Sequence, residues 1–159
     1  MQGQHKRLAM AHVFDVARYI LDKCGGQMSA MKLQKLVYYS QGWHLVFEGE
    51  PLFTGEIEAW ANGPVVRDLY RQHRGLFVVV TDAFPAQREL SQFEKDTIDA
   101  VLEAYGELDA HELSNLTHSE RPWIEAREGI PEGARSNSVI STATMMEFYQ
   151  GILDADEKR

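Results

Sequence analysis

Apolar positions recur along this chain with a helical period in several separate stretches. Val13, Val16, Ala17, Ile20 and Leu21 fall at i, i+3, i+4, i+7 and i+8, which predicts a helix over His12–Lys23. Gly25 and Gly26 stop it, because glycine accepts the left-handed backbone found just past helix ends. Ser29 then stands as a cap, and Leu33, Leu36, Val37, Ser40, Trp43 or His44, and Phe47 trace a second stripe of about five turns. Lys32, Lys35 and Tyr39 fall off this stripe, on a face the core is expected to leave free. Gly42 lies inside the helix at a cost of up to ~1 kcal/mol against alanine. Its presence predicts close approach of another element.

The period changes after Glu48-Gly49-Glu50-Pro51. Ile57 and Ala59 alternate with Glu56, Glu58 and Trp60, which predicts a short extended segment. Asn62-Gly63-Pro64 reads as a turn and as a helix start, since proline's missing N–H costs nothing in a first helical turn. Val65, Leu69 and Tyr70 would carry that helix to Arg74-Gly75. The β-branched and aromatic run over residues 76 to 84 predicts a strand that pairs with the segment near Ile57. Ser91 with Glu94, and Asp109 with Glu112, are capping boxes opening two further helices. Pro122 suits a first helical position ahead of Trp123, Ile124 and Ala126, and a last helix is predicted over Thr144–Leu153. These elements make a mainly α fold: a compact bundle of six to seven helices with one small two-stranded β element. The 159 residues fit one domain, 1–159, with frayed ends at about 1–7 and 154–159.

Composition narrows the function classes. Hydrophobic residues are 44% of the chain, enough for a packed core without disulfide or metal. The net charge of −8 argues against a dedicated nucleic-acid binder, whose phosphate contacts need clustered Lys and Arg. It suits electrostatic steering toward a basic partner. Cys24 has no second cysteine to pair with, and no apolar run approaches the ~18 residues of a membrane span. The expected compartment is the cytoplasm.

The census of chemistry is short. No His-x-x-x-His pair, Gly-x-Ser-x-Gly elbow or phosphate-binding glycine loop occurs. His111 and His118 lie seven apart near Glu112 and Glu120, a loose metal spacing whose simpler reading is solvated or hydrogen-bonded side chains. His118, Glu120 and Arg121 near Trp123 are the residues an undetected hydrolase-type enzyme would use. Cys24, at a helix end whose dipole disfavours the thiolate, reads as inert. No helix gathers Arg, Lys, Gln and Asn on one face as a DNA-binding regulator would. No catalytic residue, cofactor or metal is therefore assigned. Trp43, Trp60 and Trp123 have core filling as their ordinary role, but Trp60 beside the Asn62-Gly63-Pro64 turn is placed to rim a recognition surface.

One series of short motifs ties these elements together. Lys32-Leu33-Gln34-Lys35-Leu36 is followed by Tyr38-Tyr39, Pro51-Leu52-Phe53, Glu58-Ala59-Trp60 and Gly63-Pro64-Val65. Farther on come Tyr105-Gly106, Leu113-Ser114, Leu116-Thr117-His118, Pro122-Trp123 and Ala126-Arg127. In order and spacing the series closely resembles the Panacea domain, also known as the SocA-like antitoxin domain, over about residues 12 to 150. The resemblance implies a bacterial or phage protein that acts as an antitoxin by binding a cognate toxin. In the SocA branch it also implies an adaptor presenting the toxin to the ClpXP protease. It brings no catalytic residues, and family partners are too diverse for the toxin to follow from the fold. Relatives often carry an added domain, sometimes DNA-binding, for which this length leaves no room. The residues expected to meet the partner are Lys32, Lys35, Tyr39, Trp60, Asn62 and Arg67. The alternative is that these same positions knit the fold, with Trp60 and the Gly63-Pro64 turn buried.

Overall fold

The computed structural model describes residues 10–158, so the expected fraying at 1–7 lies outside the described residues. Seven α-helices and four short strands follow in the order α1 (Val13–Lys23), β1 (Gln27–Ser29), α2 (Ala30–Glu48), β2 (Ile57–Trp60), β3 (Gly63–Val66), α3 (Arg67–His73), β4 (Val78–Val80), α4 (Gln92–Tyr105), α5 (Ala110–His118), α6 (Arg121–Ala126) and α7 (Thr142–Glu157). The mainly α class holds. The last helix starts at a Ser141 cap and runs past Leu153 to Glu157, through residues expected to fray. Both capping boxes form, with Ser91 and Asp109 each accepting from the backbone N–H three residues on.

α2 is the axis of the molecule, packed against α1, α4, α5, α7 and β3. A helix surrounded in this way has no single apolar stripe. Leu33, Leu36, Val37 and Leu45 are buried, but so are Gln34, Lys35, Tyr39, Ser40, Gln41 and His44. This corrects the expectation that Lys35 and Tyr39 sit on a face the core leaves free. The buried amides are satisfied by clamping distant backbone, as buried polar groups must be. Gln34 accepts from Val66 N–H at 2.7 Å and donates to Val66 O at 3.2 Å. Gln41 accepts from Leu52 N–H at 2.7 Å and donates to Phe53 O at 2.9 Å. Gly42 is where α7 crosses: a Cβ there would stand 2.7 Å from the Tyr149 ring.

The β structure differs from the expected pairing. There are two two-stranded antiparallel sheets, β1 with β4 and β2 with β3. Gly63-Pro64 opens a strand instead of a helix, and the helix begins at Arg67. Proline is tolerated in β3 because its partner Ala59 turns its N–H away, to Ser138 O at 2.8 Å. Ile140 N–H likewise meets Ile57 O at 2.8 Å, so the loop before α7 lies along β2. Arg127, almost fully buried, holds that loop by donating to Ala59 O, Pro131 O and Ala134 O.

Candidate functional site

A groove of about 930 Å³ opens between the start of α2, the β2–β3 hairpin, α3 and the residues leading into β4. Its walls are largely apolar, with Met31, Val65, Tyr70, Leu76 and Phe77 among the lining residues. Outside it the apolar surface continues: Leu76, Phe77, Val78 and Val80 are all exposed, Phe77 to 85%. An exposed apolar patch of this kind, beside a groove, is what a binding surface presents.

Lys35 reaches the groove from α2 although it is only 2% exposed. Its Nζ donates to Pro64 O at 3.2 Å, and burial pushes its pKa down to about 8. The space it fills exists because residue 63 is glycine: a Cβ there would stand 2.5 Å from Lys35 Cε, and the backbone φ is +121°. Glu58 is also buried in the groove wall, where it accepts from Trp60 Nε1 at 2.8 Å and pairs with Arg67 Nη1 at 3.1 Å. Trp60 lies edge-on to Tyr70, and its carbonyl accepts from Trp123 Nε1 at 2.8 Å.

Of the six residues expected to meet a partner, Lys35, Trp60 and Asn62 line this one groove, and Arg67 is joined to it through Glu58. Asn62 is exposed at the hairpin turn, its carbonyl accepting from Ser114 Oγ at 2.6 Å. Lys32 and Tyr39 face elsewhere. Lys32 Nζ donates to Gly106 O at 2.7 Å, closing the end of α4. Tyr39 is fully buried, stacked on Tyr105 and donating to Glu120 Oε1 at 2.8 Å. The apolar rim of Met31, Leu76 and Phe77, and the cation Arg135, did not stand out from the sequence. The signal was present in the run over 76 to 84, whose apolar residues outnumber those a two-stranded sheet can bury.

Glu120 is the most perturbed carboxyl away from the groove. It accepts from both Tyr39 and Tyr149, and the Tyr149 hydroxyl also lies 3.1 Å from the Tyr38 hydroxyl. Burial raises its pKa to about 7 against the lowering effect of these hydrogen bonds. The neighbours proposed with it do not converge. Both ring nitrogens of His118 face carbonyl oxygens, of Ser114 and Ala61. Arg121 turns to surface pairs with Glu125 and Glu147. His111 meets Asn115, and no group of three or more His, Cys, Asp or Glu among the described residues could hold a metal ion. Burial raises the Cys24 thiol pKa, with Lys32 opposing. Among the described residues no helix is long and apolar enough to cross a membrane.

Residues 33–124, which take in α2 from Leu33 onward, the hairpin, Leu76 and Phe77 of the groove's rim, and Glu120, match the family described as antitoxin SocA-like, Panacea domain. This chain belongs to that family. It is also 31% identical to the Antitoxin SocA of Caulobacter vibrioides (strain NA1000 / CB15N) over 130 aligned positions. These span 68% of this chain and 66% of that protein, just under two thirds of the relative's length. No solved structure matches the chain. The family match places the Gln34 clamp, the Gly63 turn and Lys35 inside the shared region.

Proposed function

We propose that this protein is the antitoxin of a bacterial or phage toxin–antitoxin pair and neutralises its toxin by direct protein–protein binding. The observation that carries this reading is the groove beside Lys35 with its continuation over Leu76, Phe77 and Val78. Family membership supplies the partner class, and the Antitoxin SocA likeness points the same way. Covering a toxin stably needs roughly 1,200–2,000 Å² of total buried area, with buried aromatic and cationic anchors near its centre. Trp60, Phe77 and Lys35 supply those anchors, with Asn62 and Arg67 on the rim. Lys32 and Tyr39 act behind this surface by fixing α2 against the end of α4 and Glu120 at the start of α6. In this reading the groove works by binding, and the partner class comes from the family rather than from any catalytic set.

Co-expression with any small protein encoded beside this gene that proves toxic tests the reading, with growth rescue and co-purification scored together. Rescue with a stable complex is the expected result. A toxic neighbour that is neither rescued nor bound would sink it. Repeating the rescue in a host lacking ClpXP separates simple covering from delivery to the protease: a covering antitoxin still rescues, and an adaptor does not.

A further inference from the structure

Lys35 is buried, cationic and nearly unpartnered. An ammonium carries three donors, and the one hydrogen bond Lys35 makes is to a peptide carbonyl, Pro64 O. A charge taken out of water in this way is costly unless a counter-charge meets it. The carboxylate that shares the groove does not meet it, since Glu58 is engaged by Trp60 Nε1 and Arg67. His73, whose pKa burial lowers, adds no counter-charge. Arg135 lines the same groove, exposed and with no carboxylate partner among the described residues. An acidic chain thus places unmatched positive charge in a large apolar groove.

We infer that the groove receives an apolar segment of the partner protein that carries a carboxylate, and that Lys35 pairs with that carboxylate. The inference rests on the antitoxin reading for the partner's identity and goes beyond it in naming what is recognised. The unmatched cation at the groove asks for one anion, and the apolar walls ask for flanking side chains without charge. The apolar surface leading outward over Phe77 and Val78 asks for an occupant longer than a small amphiphile. A peptide segment meets all three demands. Arg135 offers a second, solvent-screened attraction to the same charge.

The test needs no knowledge of the toxin. A phage-displayed random heptapeptide library is panned on the full chain, and the enriched peptides are synthesised and titrated by calorimetry, with decanoate titrated in parallel. The expected winners carry one Asp or Glu among apolar residues. Replacing that acid by its amide, or making Lys35→Met, weakens binding about 30-fold or more, as truncating one side of a buried charge pair does. Lys35→Arg retains part of the affinity. Phe77→Ser weakens binding through the rim and, at 85% exposure, leaves the fold intact. The amide peptide and Phe77→Ser keep the test valid should Lys35→Met fail to fold. Failure to enrich acidic apolar peptides, or binders indifferent to Lys35→Met, would overturn the inference. Lys35-dependent binding of decanoate without peptide binding would also overturn it and assign the groove to a small amphiphile. Growth rescue by the wild-type chain is read separately. Rescue without peptide binding removes this inference and leaves the antitoxin reading; peptide binding without rescue does the reverse.

Discussion

Two buried titratable side chains carry opposite functional weight. Lys35 has its pKa lowered from 10.5 to about 8, so the folded state disfavours its charge. Stability is then greatest above pH 10.5 and is lost as pH falls through 8, by about 3 kcal/mol in full. Lys35→Met removes that deficit and forfeits one hydrogen bond worth ~1 kcal/mol. The variant should be about 2 kcal/mol more stable at pH 7, measured by urea unfolding, and should lose its advantage by pH 10. A destabilised Lys35→Met at pH 7 would mean the ammonium is better solvated than its burial implies. Glu120 shifts the other way for an acid, from 4.5 to about 7. The protonated form suits the folded state, so its contribution is complete below pH 4.5 and is lost as pH rises through 7. Glu120→Gln keeps an acceptor for Tyr39 and Tyr149 and removes the titration. It should match wild type near pH 5 and exceed its melting temperature at pH 8. Equal slopes of stability against pH for the two proteins would rule out Glu120 as the titrating group.

At the scale of elements, what was legible depended on how local the signal was. Helices α1, α4, α5 and α6 announced themselves through caps and period, because Ser91, Asp109 and Pro122 act within one turn of themselves. The expected crossing at Gly42 was legible for the same reason: an unfavourable residue in a helix needs a neighbour to explain it, and Tyr149 is that neighbour. Strand pairing was not legible. β1 and β4 lie far apart in sequence, and Pro64 looked like a helix start because nothing local reveals that Gln34 clamps Val66 or that Ala59 N–H faces Ser138. The site suffered the same way. A helical stripe cannot show that α2 is enclosed on nearly every side, so it puts Tyr39 and Lys35 on a face that in fact is buried. Trp60 and Asn62, whose position follows from a turn, do line the groove. The α2–α7 crossing yields a test. In Gly42→Ala the new Cβ would sit 2.7 Å from a Tyr149 ring held by Glu120 and Tyr38. Overpacking of this kind costs about 1–3 kcal/mol, against a helix-propensity gain of at most ~1. Net destabilisation by about 1–2 kcal/mol in urea is expected, whereas a stabilised variant would show that α7 can shift.

At the scale of the whole molecule, two electrostatic features point in different directions. The chain as a whole carries −8, while the groove holds Lys35 and Arg135 with Glu58 already paired. Long-range attraction sees the sum of the charges, and close contact sees the groove. A partner that is basic overall would be drawn to the acidic molecule and then held by one carboxylate in an apolar contact. The two stages separate by salt, because exposed charges are screened beyond ~8 Å at physiological ionic strength and buried pairs much less so. For the proposed complex with a toxin, the association rate should fall about ten-fold or more between low and high salt, and the dissociation rate should change little. Lys35→Met should invert the pattern, leaving the association rate and its salt dependence near wild type while speeding dissociation. Stopped-flow association and a chase measurement of dissociation, made across the salt series on both proteins, read these four quantities. An association rate indifferent to salt would show that the net charge has no part in recognition. An unchanged dissociation rate in Lys35→Met would show that the groove's buried cation lies outside the interface.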